Sequence, residues 1–412
     1  MTSKLRAFFE GKKVLILGFG LEGKSTYKLL KMLDCAALVA VADAKPLPEE
    51  LDCLKFTGDE YEQRVKELES ETEYDIIMKS PGIALYDRVN ESQKSKITSQ
   101  SDLFLRFYEG NVVGVTGTKG KSTVSALINH ILNNCGKKAI LIGNIGIPPL
   151  ENLSHYDDNT IVVIELSAQQ LEYVKASPRI AVLLNIYPEH LDHFTDFEAY
   201  KAAKENIFKQ QKPGDVLIYD ETLKAPPNIK TKLIGAHNLY NIAVALKAAT
   251  LCGAGVNTAI KAAETFSPLA HRLEPLGLEN GIEYVNDSIS TIPQSTVNAL
   301  KALPDTDVLI VGGVDRGVCY DDLFEHLEKD ENLKFLIALP GAGRRIAACF
   351  DNVHTAHRFE IYLASDLKDA VEFAKTVAKK RCLLSPAAAS YDAYKNFEER
   401  GEHFKKLVKL HK

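Results

Sequence analysis

The run Val112-Val113-Gly114-Val115-Thr116-Gly117-Thr118-Lys119-Gly120-Lys121-Ser122-Thr123 passes from β-branched residues through a glycine-rich turn into a helical pattern reaching Asn134. Strand, glycine turn and helix in that order are the setting a phosphate-binding loop needs. Glycines let backbone N–H groups converge on phosphate oxygens, and the helix N-terminus adds a favourable dipole. Gly117, Thr118, Lys119, Gly120 and Thr123 would form that cradle, with Lys121 reaching the outer phosphates and Ser122 ligating magnesium. The GxxxxGK[ST] spacing is not met, because Val115 stands where its first glycine falls. A glycine turn with an exposed lysine is the bland alternative.

Outward from this loop, short apolar runs alternate with helical patterns. Upstream lie Val14 to Leu17, Glu22 to Leu33, Ala36 to Ala42 and Asp75 to Met78. Around the loop come strands at Lys138 to Ile142, Thr160 to Leu166 and Arg179 to Asn185, with helices at Lys121 to Asn134 and Phe197 to Gln210. Further strands are expected at Ile282 to Asn286, Asp307 to Val311, Lys334 to Leu339 and Arg381 to Leu384. Such alternation predicts parallel sheets flanked by helices. The expected architecture is α/β with three domains in series, 1–108, 109–268 and 269–412.

Length agrees, since 412 residues exceed one ordinary core. With 45% apolar and 25% charged residues the composition is that of a globular protein. A net charge of −5 with interspersed signs makes no electrostatic case for nucleic acid or a membrane surface. The start, MTSKLRAFFEGKK, has no apolar signal core, so the cytoplasm is the expected compartment, and no heptad suggests an obligate oligomer. The seven scattered cysteines contain no CxxC pair and read as reduced thiols.

Two further groups carry chemistry. Glu165 ends an apolar strand, and His190 and Asp192 follow another, where α/β proteins place site residues and where magnesium would find hard ligands. Gly18-Phe19-Gly20-Leu21-Glu22-Gly23 follows the first strand, with Asp43 ending the second, which reads alone as a dinucleotide fingerprint.

The chain resembles the Mur ligase family over nearly its whole length. GVTGTKGKST (114–123), IELSAQQLE (164–172), NIYPEHLDHF (185–194), YKAAKENIF (200–208) and GAHNLYNIAVAL (235–246) fall in the family's order. The resemblance implies a Rossmann-like N-terminal domain binding a UDP-sugar, a P-loop ATPase-type central domain, and a Rossmann-like C-terminal domain binding an amino acid. It implies ATP and Mg2+ as cofactors and Ser122, Glu165 and His190 at the metal. Lys204 matches a lysine the family carbamylates, a change that replaces a repelling ammonium with a carboxylate. Asn238 and Asn241 would contact the adenine nucleotide, and Arg272 and Asp287 would reach the ATP phosphates or ribose. Lys121, His190, Lys204 and Arg272 are the expected catalytic set. A salt bridge to Glu274 is the plain alternative for Arg272.

For the UDP-sugar the resemblance implies Leu21, Glu22, Asp43, Lys45, Ser80, Gly82, Asn144 and His190, with Glu22 departing from a commoner threonine. The C-terminal run LLSPAAASYDAYKNFEERGEHFKKLV (383–408) is similar to the branch that adds glutamate to UDP-N-acetylmuramoyl-L-alanine in peptidoglycan precursor synthesis. Thr291, Arg316, Ser390, Tyr391 and Phe397 would then hold the glutamate. D-glutamate is expected. Ile289 and Ile292 stand where a cation and an amide are usual, which leaves L-glutamate open. The competing classes are a nicotinamide dehydrogenase, a folate polyglutamate ligase and a nucleotide-binding regulator without ligase activity.

Overall fold

A computed structural model of the chain describes residues 1–85, 88–157, 159–187, 193–351 and 358–409. It holds three parallel-rich sheets, as expected. The first contains β1 (Lys13–Leu17), β2 (Leu38–Ala42), β3 (Leu54–Phe56), β4 (Ile76–Lys79) and β5 (Ile97–Thr98), in the order β3-β2-β1-β4-β5. All its pairings are parallel. The chain winds one way from β1 to β3 and then returns to place β4 on the other side of β1. Ligands of open α/β sheets bind outside the carboxyl ends of strands at such a reversal. The residues found there are Gly18 to Gly23 after β1 and Ser80 to Gly82 after β4.

The second sheet contains β6 (Val112–Thr116), β7 (Ala139–Gly143), β8 (Ile161–Glu165), β9 (Ile180–Leu183) and β10 (Val216–Ile218), in the order β10-β9-β6-β8-β7. It is also parallel throughout. Its reversal lies between β6 and β8, so the glycine loop and Glu165 leave adjacent strands at the same edge. Val112 to Thr116 is buried along its whole length, which explains its unbroken apolar reading.

The third sheet contains β11 (Glu274–Glu279), β12 (Ile282–Asn286), β13 (Val308–Gly313), β14 (Phe335–Gly341), β15 (Glu360–Leu363) and β16 (Arg381–Leu384), ordered β11-β12-β16-β13-β14-β15. Only β11 is antiparallel among the described strands.

Two compact units result, Met1–Lys230 with Leu239–Thr265, and Thr231–Asn238 with Phe266–Lys412. The first unit joins two sheets because one apolar cluster runs through both. It passes from Val14 and Ile16 on β1, through Leu103 and Phe104 on the helix Gln100–Phe107, to Val162 and Ile164 on β8. The second unit has its own cores on the two faces of the third sheet, around Leu309 and Leu383 on one and Ile310 and Leu384 on the other. All seven cysteines are free thiols. Among the described residues no helix is long and apolar enough to cross a membrane.

Candidate active site

The glycine loop closes as a cradle. Gly117 sits at φ +153° and Gly120 at φ +89°, and a Cβ on either would come within 2.9 Å of Leu184 or of Asn241 Oδ1. The helix Lys121–Asn134 starts at Gly120 with no side-chain cap, so its first amides keep their donors for a ligand. Lys121 Nζ donates to the carbonyls of Gly117 (2.9 Å) and Thr118 (3.0 Å), which folds the ammonium over the loop. The strand-end residue Asn185 braces the loop from β9, accepting from Lys119 N–H at 2.8 Å and donating to Lys119 O at 3.1 Å. Thr118 is buried against the Tyr200 hydroxyl, 3.0 Å away. Thr123 is buried on the first helical turn.

Glu165 is fully buried at the end of β8. Its Oε1 accepts from Ser122 Oγ at 3.3 Å and from Asn144 Nδ2 at 2.8 Å, while its Oε2 has no hydrogen-bond partner among the described residues. Asn144 thus positions the carboxylate, from a turn that needs Gly143 at φ +100° because a Cβ there would strike Glu165 O at 2.3 Å. Lys204 is not a surface lysine. It is 1% exposed on the helix Phe197–Lys209, with Nζ 3.0 Å from Gly117 O and 4.6 Å from the centre of the Tyr200 ring. An orphan carboxylate oxygen beside a hydroxyl is a hard-oxygen set that suits magnesium, which takes few protein ligands and completes its shell with phosphates and water. Among the described residues no group of three or more His, Cys, Asp or Glu side chains is arranged to hold a metal ion by itself. His190 and Asp192 lie outside the described residues. Asn241 faces Gly120, and Asn238 donates from Nδ2 to Ile234 O at 2.6 Å.

At the first sheet, Asp43 buttresses the turn after β1. Its Oδ2 accepts from Phe19 N–H at 2.6 Å and its Oδ1 from Lys45 N–H at 2.8 Å. Ser80 Oγ donates to Gly18 O at 2.8 Å, and a Cβ on Gly23 would meet that carbonyl at 2.1 Å. Leu21, Lys45 and Gly82 are exposed around the turn. Glu22 turns toward the second sheet, where its Oε1 accepts from Gln170 Nε2 at 2.7 Å. Beside it the buried Lys79 pairs with Glu172 Oε2 at 3.0 Å. Sequence reasoning missed Lys79, Gln170 and Glu172, although Gln170 and Glu172 lie inside a quoted motif; nothing in local pattern marks them as buried partners across two sheets.

In the third domain Asp287 follows β12 and is nearly fully buried. It accepts from Ser290 Oγ (2.5 Å), Ser385 Oγ (2.9 Å) and Leu273 N–H (3.1 Å), and burial pushes its carboxyl up to about 6 against those bonds. Glu274 is occupied by His271 N–H at 2.8 Å and by Lys405 Nζ at 2.9 Å, and Arg272 Nε is buried with no hydrogen-bond partner among the described residues. Thr291 and Arg316 are brought together, Arg316 Nη2 donating to Thr291 O at 3.0 Å. Ser390 Oγ is buried without a hydrogen-bond partner among the described residues, Tyr391 is 71% exposed, and Phe397 O accepts from Ser288 Oγ at 2.8 Å.

A residue not anticipated holds these loops. Arg400 is 1% exposed and donates to Ser288 Oγ (3.0 Å) and to the carbonyls of Ser288 (2.9 Å), Ala388 (3.0 Å), Ala389 (3.3 Å) and Gly312 (3.4 Å). All five acceptors are neutral, and burial pulls the guanidinium down to about 10. It ties the end of β13 to the turns after β12 and β16.

Residues 115–225 match the Mur ligase middle domain. A protein of Alkaliphilus metalliredigens named UDP-N-acetylmuramoylalanine–D-glutamate ligase is 31% identical across 97% of this chain and 98% of its own length. The chain belongs to the Mur ligase family. A Xanthomonas oryzae relative named UDP-N-acetylmuramoyl-L-alanine–L-glutamate ligase is 32% identical across 97% of this Mur ligase and 96% of its own chain. The crystal structure of the MurF ligase of Thermotoga maritima in complex with ADP shares the fold, with a TM-score of 0.56 and 17% identity over 98% of this chain and 96% of that one.

Proposed function

We propose that this Mur ligase joins glutamate to UDP-N-acetylmuramoyl-L-alanine at the expense of ATP, in the cytoplasmic synthesis of a peptidoglycan precursor, acting as a monomer. The observation that carries the reading is the phosphate cradle at Gly117 to Thr123 set beside Glu165, in a chain similar over nearly its whole length to glutamate-adding ligases. D-glutamate is the expected amino acid, and the L-glutamate relative at almost equal identity supports the second reading.

A carboxylate does not condense with an amine in water because oxide is its leaving group. The alanyl carboxylate oxygen therefore attacks the γ-phosphorus of ATP, ADP departs, and an acyl phosphate forms. The glutamate amine then adds to the acyl carbon, the C–N bond forms, phosphate leaves with the electrons of the broken C–O bond, and a proton passes to solvent. Lys121 neutralises phosphate oxygens as charge builds, joined by Arg272 from the third domain. Ser122 and Glu165 hold magnesium, with His190 and a carbamylated Lys204 completing the set; magnesium, when bound, supplies positive charge against the phosphate oxygens. The turn from Gly18 to Gly23, with Asp43, Lys45, Ser80, Gly82 and Asn144, receives the nucleotide sugar. Asn238, Asn241 and Asp287 serve the nucleotide end of ATP, and Thr291, Arg316, Ser390, Tyr391 and Phe397 the glutamate. Arg316 suits a carboxylate because its guanidinium binds one bidentately.

The test is phosphate release with ATP, magnesium and UDP-N-acetylmuramoyl-L-alanine, supplied with D-glutamate, L-glutamate or no amino acid. Release with D-glutamate alone is expected. Preference for L-glutamate would select the second reading, and equal release without an amino acid would remove the ligase.

A further inference from the structure

The contact between the first two domains, which share one compact unit, carries buried charges that the ligation chemistry leaves unused. Gln170 belongs to a capping box: Ser167 N–H donates to Gln170 Oε1 at 3.0 Å, and Gln170 N–H donates to Ser167 Oγ at 3.2 Å. That box fixes the amide's orientation, so its Nε2 can only donate to Glu22 Oε1, which it does at 2.7 Å. Glu22 Oε2 is buried with no hydrogen-bond partner among the described residues. The main chain of Glu22 is pinned as well, its carbonyl accepting from Gln100 Nε2 at 2.9 Å and Thr26 Oγ1 at 2.8 Å.

The titratable groups around it are Lys79 from the end of β4, and Glu172 and His193 from the central domain. Lys79 is engaged by Glu172 Oε2 at 3.0 Å, and the same oxygen faces His193 Nε2 at 3.4 Å. Burial raises Glu172, but the His193 bond and the Lys79 charge outweigh it and hold the carboxyl below its ordinary range. Glu172 therefore takes the negative charge of the cluster. For Glu22, burial dominates the opposing Gln170 bond and Lys79 charge, and its carboxyl is pushed up to about 7.

We propose that Glu22 works as a neutral carboxylic acid that, through Gln170, holds the Gly18–Gly23 turn of the first domain in register with the Glu165 corner of the central domain. Gln170 follows Glu165 on the same β8-to-helix corner, so the bond links the turn that receives the nucleotide sugar to the carboxylate of the ATP site. An ionised Glu22 places an unpaired buried charge at that link, beside a turn that must accept a diphosphate, and both effects oppose binding. Glu22 is a positioning residue here, and its protonation state becomes a condition on substrate binding. The inference rests on the UDP-sugar reading of that turn.

The experiment measures KM for UDP-N-acetylmuramoyl-L-alanine from pH 6 to 9, a range chosen to bracket the Glu22 carboxyl, alongside the infrared titration of protonated carboxyl bands. For the parent, KM is expected to rise by about tenfold per pH unit above the Glu22 midpoint while kcat holds. A carboxyl band is expected to titrate near pH 7. Glu22→Gln is expected to flatten the KM profile, whatever its absolute level, and to remove that band. Gln170→Leu, which deletes the one donor, is expected to move both midpoints upward. An unchanged KM slope in Glu22→Gln, or no band sensitive to either variant, overturns the proposal. Absence of turnover at every pH would instead remove the substrate reading, while the infrared titration still decides the state of Glu22.

Discussion

Glu165 and Lys204 are both buried against the glycine loop, and their burial is the reason to assign them work. A carboxylate oxygen without a partner costs stability unless something arrives to satisfy it. Glu165→Gln is expected to raise the magnesium concentration for half-maximal phosphate release by about 10–100-fold, read from a magnesium titration; an unchanged midpoint would take Glu165 out of the metal set. Glu22 makes the converse prediction about stability. Its folded-state carboxyl lies near 7 against an ordinary 4.5, so the folded chain holds a proton that the unfolded chain has lost. Stability therefore falls as pH rises through that window, and above it the loss is about 3 kcal/mol at most. Glu22→Gln is expected to be more stable than the parent in denaturant titration at pH 8 and to lose that advantage toward pH 4.

Among the elements, those with long unbroken periodicity were legible from the residues. Ile282 to Asn286 and Arg381 to Leu384 are strands with the expected bounds. Missed were β3, β5 and β10, of two or three residues, too short for alternation to register, and the four-residue edge strand β15. β11 was missed for another reason. It pairs with β12 through Asn280 (φ +52°) and Gly281 (φ +81°), a hairpin turn whose Asn-Gly signal stood in the sequence, while Pro275 and Gly277 interrupt the strand with a register shift. Of the residues the motifs single out, Ser122, Glu165 and Lys204 do lie together at the glycine loop, whereas no motif pointed to Lys79, Glu172 and Arg400, whose surroundings depend on distant carbonyls or carboxylates. At the phosphate loop, Gly120→Ala would put a Cβ at positive φ and 2.9 Å from Asn241 Oδ1. About 1–2 kcal/mol of strain is expected, with a rise in KM for ATP of tenfold or more in steady-state kinetics.

Taken whole, the chain uses one device three times: each sheet sends its candidate site residues from the carboxyl ends of its strands. Gly18 and Ser80 follow β1 and β4, Gly117 and Glu165 follow or end β6 and β8, and Asp287, Arg316 and Ser390 follow β12, β13 and β16. The two compact units have separate apolar cores around the third sheet and the first two, so they are expected to unfold as distinct cooperative transitions. Arg400→Met removes one hydrogen bond from each of five buried acceptors, and is expected to lower only the transition of the second unit, by about 3 kcal/mol, in differential scanning calorimetry. A shift of both transitions would show that the loops it ties are not a local matter. The central claim is that the phosphate loop activates a carboxylate. It is tested most directly by supplying UDP-N-acetylmuramoyl-L-alanine with oxygen-18 in the alanyl carboxylate and analysing the released phosphate by mass spectrometry. An acyl phosphate requires one labelled oxygen to leave in the phosphate, and phosphate free of label, formed alongside the amide product, would contradict the account.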